Sequence, residues 1–230
     1  LVRFYRAAIA AGVKPIAGAD LLVRNPQDTQ KPDRLVLLAQ DLDGYRNLTE
    51  LVSRSYREGQ HLGVPMLEPG WFTAASTAGL IALSGGRDGD VGRALIAGNL
   101  ELAKQRLLRW HGLFGDRYYV QLVRTGRPFE EACLHASVSL ANAHGIPVVA
   151  TNEVCFLSPD EFAAHEVRVC IHEGRVLADA ERPRNYSPQQ YLRTADEMAR
   201  LFADVPEALA GVVAECLPHF EAMVEHRLTP

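Results

Sequence analysis

The sequence lacks the short motifs that most often identify a hydrolase or a metal-binding module. Its four cysteines, Cys133, Cys155, Cys170 and Cys216, form no C-x-x-C pair. This spacing argues against a structural zinc ribbon and favours a reduced, cytoplasmic protein. No G-x-S-x-G sequence is present, which excludes a hydrolase of the nucleophile-elbow type. The H-E-x-x-H pattern of zinc peptidases is also missing.

Long apolar runs and an excess of positive charge are missing as well. No stretch approaches the ~18 apolar residues of a membrane span, and no signal peptide is recognisable, so we expect no membrane contact. The formal net charge is −4, which provides no basic face that could bind a phosphate backbone. The sequence starts at Leu1, without methionine and within a helical pattern, and we therefore expect a piece of a longer protein.

What the sequence does contain is an alternation of short apolar runs and helical patterns. Continuous apolar strands joined by helices are typical of an α/β fold with a parallel sheet. We predict five strands, which lie at 16–23, 35–39, 80–83, 118–123 and within 147–156. We predict helices at 1–12, 43–58, 94–110 with a break at Gly98, 129–144, 159–172, 189–202 and from 206 to a break at Pro218.

The fifth strand is the most informative, because Asn152, Glu153 and Cys155 stand at its carboxyl end. Ligands and metals bind at that end of the strands in α/β folds. A metal-dependent phosphoesterase would carry a hard carboxylate and an imidazole there, and this chain has a longer acid and a thiol. We therefore expect a phosphoesterase scaffold that has lost its chemistry. A nucleophilic thiol at Cys155 would need a neighbouring base, so we favour an inert one.

Two weaker patterns have structural explanations that we prefer. The glycine-rich segment 84–92 could bind phosphate, but it lacks the ending of a nucleotide P-loop, and a strand-to-helix turn explains its glycines equally well. His165 and His172 lie seven residues apart on one predicted helix, a separation of about 10 Å along its axis. One metal ion cannot bridge that distance, so we expect hydrogen-bonded or solvated histidines.

Seven segments together resemble the polymerase and histidinol phosphatase (PHP) domain of bacterial replicative DNA polymerase III alpha subunits, in its proteobacterial form. They occur in the expected order, at 12–20, 44–49, 79–87, 124–128, 148–152, 164–168 and 182–191. The resemblance implies a distorted (β/α)7 barrel followed by helices, incomplete because its first βα units would lie before Leu1. It assigns residues 1–211 to the PHP domain and leaves 212–230 as an atypical helical tail.

The resemblance also implies which residues would surround the metal centre of active relatives. Asp20 stands where an acid is usual, so that one ligand could survive, and Glu153 replaces the usual aspartate. Arg34 and Cys155 stand where histidines are usual, and Gln121 stands where a glutamate is usual. Arginine repels a divalent cation, and glutamine lacks the anion that attracts one. We therefore expect a vestigial site, with no metal, cofactor or catalytic residue in this chain.

The implied parent protein is a DNA-directed DNA polymerase, a nucleotidyltransferase of chromosome replication, with Mg²⁺ bound in a palm outside this chain. This chain would be a non-catalytic scaffold that contacts the remaining polymerase domains and the proofreading exonuclease subunit. DNA would be bound by other parts of the parent protein and not by this chain alone. Two alternatives stay open: a metal-dependent PHP phosphoesterase or 3′–5′ exonuclease, and the PHP domain of an error-prone alpha paralogue. The segment 184–188, Arg-Asn-Tyr-Ser-Pro, favours the replicative protein.

Overall fold

A computed structural model describes residues 2–28 and 30–211, which form a central sheet flanked by helices. This arrangement confirms the predicted α/β class and is consistent with part of a PHP-type barrel. The predicted tail at 212–230, with Cys216 and the break at Pro218, lies outside the described residues.

The five predicted strands are confirmed, and they form one sheet in the order β1-β2-β5-β6-β7. A small hairpin that was not predicted supplies the other two strands. The bounds are β1 Gly18–Val23, β2 Asp33–Ala39, β3 Gln60–His61, β4 Val64–Pro65, β5 Leu80–Leu83, β6 Tyr118–Val123 and β7 Val148–Thr151.

The prediction that all strands run parallel is wrong. Strands β5, β6 and β7 are parallel to one another, but β2 is antiparallel to both of its neighbours, β1 and β5. The loop 24–32 between β1 and β2 is shorter than the dozen or so residues that a parallel crossover requires. Because β2 runs in the opposite direction, its first residues lie at the same sheet edge as the carboxyl ends of β5, β6 and β7.

Eight α-helices lie within the described residues, and none of them is long and apolar enough to cross a bilayer. Their bounds are α1 Val2–Ala10, α2 Leu42–Arg57, α3 Asp90–Ile96, α4 Leu100–Phe114, α5 Glu130–Ala143, α6 Phe162–Glu173, α7 Ala195–Leu201 and α8 Glu207–Gly211. The break at Gly98 is confirmed, since Gly98 has a φ of +72° between α3 and α4.

The predicted helix at 189–202 is wrong for its first half. Hydrogen bonds from the Asn152 amide to the carbonyl oxygens of Gln189 and Tyr191 hold that part of the chain away from helical geometry. The helix begins only after Thr194, whose side chain and Glu197 form a capping box.

The core on one face of the sheet is organised around Trp110. Its ring packs edge-on against Phe72 with the centroids 5.0 Å apart, and its indole N–H donates to the buried Asp90 carboxylate at 2.9 Å. A second carboxylate, that of Asp33, is buried near Asp90 at the start of β2. Arg93 Nη1 lies 3.4 Å from Asp33 Oδ1, and this oxygen accepts no hydrogen bond from the described residues.

The burial of Asp33 links stability to pH. Burial and the neighbouring Asp90 carboxylate raise the pKa of Asp33 from 3.8 to about 6, although Arg93, Arg106 and Arg109 act in the opposite direction. The folded protein therefore holds this proton more tightly than the unfolded chain. The resulting stabilisation is complete below the unfolded pKa and is lost as the pH rises through about 6. Each unit of pKa corresponds to about 1.4 kcal/mol, so the loss is about 3 kcal/mol.

Replacing Asp33 by asparagine removes the titrating carboxyl group while preserving the shape of the side chain. We expect the free energy of unfolding of Asp33→Asn, minus that of the unsubstituted protein, to be higher at pH 8 than at pH 4 by about 2 kcal/mol, because pH 4 already lies above the unfolded pKa of 3.8. Urea denaturation at the two pH values measures this difference. Asp43→Asn on the exposed start of α2 is the control, and equal pH dependence of both variants would contradict the assignment.

Candidate functional site

A cleft of about 760 Å³ opens at the sheet edge where β2 begins and the parallel strands end. It brings together four of the five predicted site residues, namely Asp20, Arg34, Glu153 and Cys155. The loop after β6 and the segment before α7 supply the remaining walls of the cleft, including Arg127 and Tyr186.

The Glu153 carboxylate lies between two guanidinium groups. Its Oε1 accepts a hydrogen bond from Arg34 Nη1, and its Oε2 accepts one from Arg127 Nη2. The Glu153 side chain is 5% exposed, and those of Arg34 and Arg127 are 21% and 12% exposed. Both carboxylate oxygens of Glu153 are therefore engaged in a largely dehydrated ion pair. We call the group Arg34–Glu153–Arg127 the arginine clamp.

Further carboxylates surround the arginine clamp and pair with its two arginines. Arg34 forms a two-point contact with Asp20, with Nη2 to Oδ2 at 2.9 Å and Nε to Oδ1 at 3.1 Å. Arg127 donates to Glu130 Oε1 at 2.8 Å and to Asp88 Oδ2 at 3.3 Å. Paired guanidinium forks of this kind are the strong form of the ion pair.

Burial and neighbouring charges shift the pKa values of these groups in opposite directions. Burial raises the pKa of Glu153, while the positive charges of Arg34 and Arg127 lower it and offset part of that effect. Burial lowers the pKa of Arg34, but its contacts with Asp20 and Glu153 raise it by more, and the pKa lies above its ordinary value. Arg34 therefore keeps its charge in the cleft.

The glycine-rich segment 84–92 builds the floor beside the arginine clamp. Gly85 has a φ of +77°, and a Cβ there would lie 2.2 Å from the carbonyl oxygen of Arg34. Gly86 has a φ of +57°, and a Cβ there would lie 3.1 Å from Val123 Cγ2. These glycines are thus required for a tight turn against β2, which supports the structural explanation of the segment.

Gln121 lies on β6 and does not line the cleft. It is 4% exposed, and its amide nitrogen donates to the Thr151 hydroxyl at 2.6 Å. Its Oε1 is buried without a hydrogen-bond donor among the described residues. Gln121 thus joins β6 to β7, and within the described part of the chain it forms no hydrogen bond with the arginine clamp.

Cys155 lines the cleft as a half-buried thiol. Its Sγ lies 3.5 Å from the carbonyl oxygen of Glu153, to which it donates, and the Gln190 amide nitrogen lies 3.7 Å from the sulfur. Burial and the Glu153 carboxylate raise the pKa of the Cys155 thiol, with Arg127 and Arg34 acting against them. The group is therefore a thiol at neutral pH, which supports the interpretation that it is inert.

Sequence reasoning missed three members of the site. Arg127, Asp88 and Glu130 complete the charge network around Glu153. Arg127 lies in the segment 124–128 that carries the resemblance, and Asp88 lies in the glycine-rich segment 84–92. Both residues follow the carboxyl end of a strand. That position was the signal that could have identified them.

The donor groups of the cleft do not fit a divalent metal centre. Within residues 2–28 and 30–211, no three histidine, cysteine, aspartate or glutamate side chains converge as ligands. Both oxygens of Glu153 are bound to guanidinium groups, and Arg34 places a permanent positive charge beside Asp20. His165 is packed against Phe156 and Tyr186, with ring centroids 5.5 Å and 4.6 Å away.

Comparison with known proteins gives one consistent result. The PHP domain family matches residues 1–125. The chain is 50% identical over 213 residues to DNA polymerase III subunit alpha of Escherichia coli K12, 47% identical to that of Pseudomonas fluorescens and 46% identical to that of Vibrio cholerae. Each alignment covers 93% of this chain but only 18% of the relative, so the chain spans about a fifth of the length of these proteins.

The arginine clamp leads to a prediction about stability. Glu153→Gln removes the charge that neutralises Arg34 and Arg127 but preserves the size of the side chain. Loss of one partner of a buried ion pair costs about 3–5 kcal/mol. Since both arginines keep other carboxylate partners, we expect the free energy of unfolding to fall by about 3 kcal/mol, measured by urea denaturation at pH 7.5.

The control is Glu50→Gln in α2, which removes one partner of an exposed ion pair, with Glu50 Oε1 3.7 Å from Arg57. Exposed pairs contribute about 0–1 kcal/mol. If the two variants lost equal stability, the arginine clamp would not be a major source of stability.

Proposed function

This chain belongs to the PHP domain family, and we propose that it is the PHP region of a replicative DNA polymerase III alpha subunit. The identity of 46–50% over 93% of the chain to proteins of that name supports the proposal. On this proposal, the parent polypeptide is a DNA-directed DNA polymerase that replicates the chromosome in the cytoplasm. Its Mg²⁺ ions are bound by a palm domain outside this chain.

Within that protein, we propose that this region is a scaffold without catalytic activity. The observation that carries this proposal is the arginine clamp. Phosphoester hydrolysis by a metal centre needs carboxylate and imidazole ligands that are free to bind cations. Here Glu153 and Asp20 are bound to guanidinium groups instead. The arginine clamp joins β2, β7 and the loop after β6, which is a structural role.

We further propose that the scaffold positions two partners, the remaining polymerase domains of the same polypeptide and the proofreading exonuclease subunit. The exposed apolar side chains of α1 and of the region around α6 support an assembly role. Val2, Phe4 and Ile9 are 54–64% exposed on α1, and Leu157 and Ile171 are 69% and 75% exposed near α6. Exposed apolar patches commonly mark interaction surfaces.

A metal-binding experiment tests the inactive-site proposal. The protein is purified without chelators, dialysed against Mn²⁺ or Zn²⁺, and examined by elemental analysis. It is then assayed for hydrolysis of p-nitrophenyl phosphate with and without a chelator. We expect metal content well below one equivalent and no chelator-sensitive hydrolysis, because Arg34 and Arg127 repel a cation from Glu153.

Asp20→Asn is the variant that distinguishes a true site from surface binding, and Asp43→Asn is its control. Both aspartates form ion pairs with an arginine at the protein surface. Stoichiometric metal that is retained by Asp43→Asn but lost by Asp20→Asn would overturn the proposal in favour of a metal-dependent phosphoesterase.

A further inference from the structure

A separate cavity, of about 410 Å³, lies between the loop that joins β1 to β2 and helix α4. Its volume is within the range of about 300–1,000 Å³ that is usual for ligand pockets. It shares no lining residue with the arginine-clamp cleft. Asp33 lines this cavity and Arg34 lines the cleft, because consecutive side chains of a strand point to opposite faces of the sheet. We call the cavity the α4 pocket.

Asp33 contributes to the α4 pocket a carboxylate that lacks a hydrogen-bond donor. Its side chain is 8% exposed. Arg93 Nη1 lies 3.4 Å from Oδ1 and provides an opposite charge, but the carboxylate accepts no hydrogen bond from any residue that the structure describes. A buried acceptor in this state is destabilising. A bound molecule with a hydroxyl group would supply the donor that Asp33 lacks.

Arg106 contributes a positive charge that lacks a carboxylate partner. Its side chain is half-buried, and its Nη1 donates to the backbone carbonyl oxygen of Asp90 at 2.6 Å. It forms no ion pair within the described part of the chain. The other two arginines of the pocket do form ion pairs, Arg24 with Glu68 and Arg109 with Asp90. Arg106 is therefore the charge that is available to an anionic ligand.

Apolar side chains and two amide groups complete the walls of the α4 pocket. Val23, Pro69 and Leu102 provide carbon surface, and Gln27 and Gln105 provide amides that can both donate and accept hydrogen bonds. Carbon surface of this kind packs against the ring carbons of a small organic molecule. The pocket thus combines an available cation, an acceptor without a donor and an apolar wall, which is more than an inorganic anion requires.

We propose that the α4 pocket binds a small phosphorylated sugar, with its phosphate on Arg106 and a sugar hydroxyl donating to Asp33. A phosphate monoester carries a charge of about −1.5 to −2 at pH 7 and has three strong acceptor oxygens. Guanidinium groups suit such a group, and Arg24 and Arg109 line the same pocket. Free sugar phosphates and nucleoside monophosphates share this chemistry. The α4 pocket uses no residue of the arginine clamp, so a ligand there is compatible with the proposed scaffold role.

Isothermal titration calorimetry of the full-length polypeptide, with EDTA and without DNA, tests the proposal. Ribose 5-phosphate is the probe, and inorganic phosphate and AMP are the comparison ligands. At pH 7.5 the Asp33 carboxylate is largely ionised, because its pKa is about 6. We expect ribose 5-phosphate to bind at one site and inorganic phosphate to bind at least about tenfold more weakly, since it has no sugar hydroxyl to donate to Asp33.

Two substitutions in the pocket separate the phosphate contact from the sugar contact. Arg106→Gln removes the available charge, and we expect it to raise the dissociation constant of ribose 5-phosphate at least about tenfold. Asp33→Asn replaces the charged acceptor by a weaker one, and we expect it to reduce the preference for ribose 5-phosphate over inorganic phosphate at least about threefold. Arg46→Gln and Asp43→Asn are the matched controls, because these residues form an exposed ion pair outside the pocket. We expect each control to stay within about twofold of the unsubstituted protein.

Each result decides a part of the proposal. Equal affinities for ribose 5-phosphate and inorganic phosphate, or an unchanged preference in Asp33→Asn, would overturn the sugar contact. Unchanged binding of ribose 5-phosphate by Arg106→Gln would show that the ligand binds elsewhere, and it would overturn the α4 pocket, as would the absence of binding by the unsubstituted protein. AMP binding at least as tight as that of ribose 5-phosphate would support a nucleotide as the ligand, and weaker AMP binding would support a free sugar phosphate.

Discussion

The structure depends most on one carboxylate that is held by two guanidinium groups. Glu153 follows β7, Arg34 is the second residue of β2, and Arg127 belongs to the loop after β6, so their contacts join three parts of the chain that are far apart in sequence. A metal ion at this sheet edge would unite the same elements through its ligands. Here opposite charges with shared hydrogen bonds do so, and Asp20, Asp88 and Glu130 give the two arginines further carboxylate partners.

The positions of the strands could be predicted from the sequence, but their directions could not. Runs such as 35–39 and 80–83 consist of apolar side chains, and such side chains predict a buried strand from the sequence alone. Direction depends on which strands pair, and the short 24–32 loop enforces an antiparallel pair that apolar content does not reveal. The helix at 189–202 was overestimated for a related reason, because Asn152 holds its first half through contacts between distant residues.

The candidate site was predictable where a resemblance named its positions. Asp20, Arg34, Glu153 and Cys155 do meet in one cleft, whereas Gln121 does not line it. The role of Arg127 could not be read from the sequence, because its contact with Glu153 spans 26 residues and the Arg34 contact spans 119. The resemblance implied substituted ligands, and only the three-dimensional arrangement showed that Arg34 binds both Asp20 and Glu153.

The arginine clamp also limits how such a site could change over generations. Exchanging Arg34 for a histidine would leave Glu153 bound to Arg127, and Asp20 would lose its guanidinium partner. Exchanging Glu153 first would remove a buried carboxylate partner from both arginines. We expect each of these two exchanges to lower the stability of the fold. On the proposal that this site is inactive, a return to metal binding would require several replacements at once.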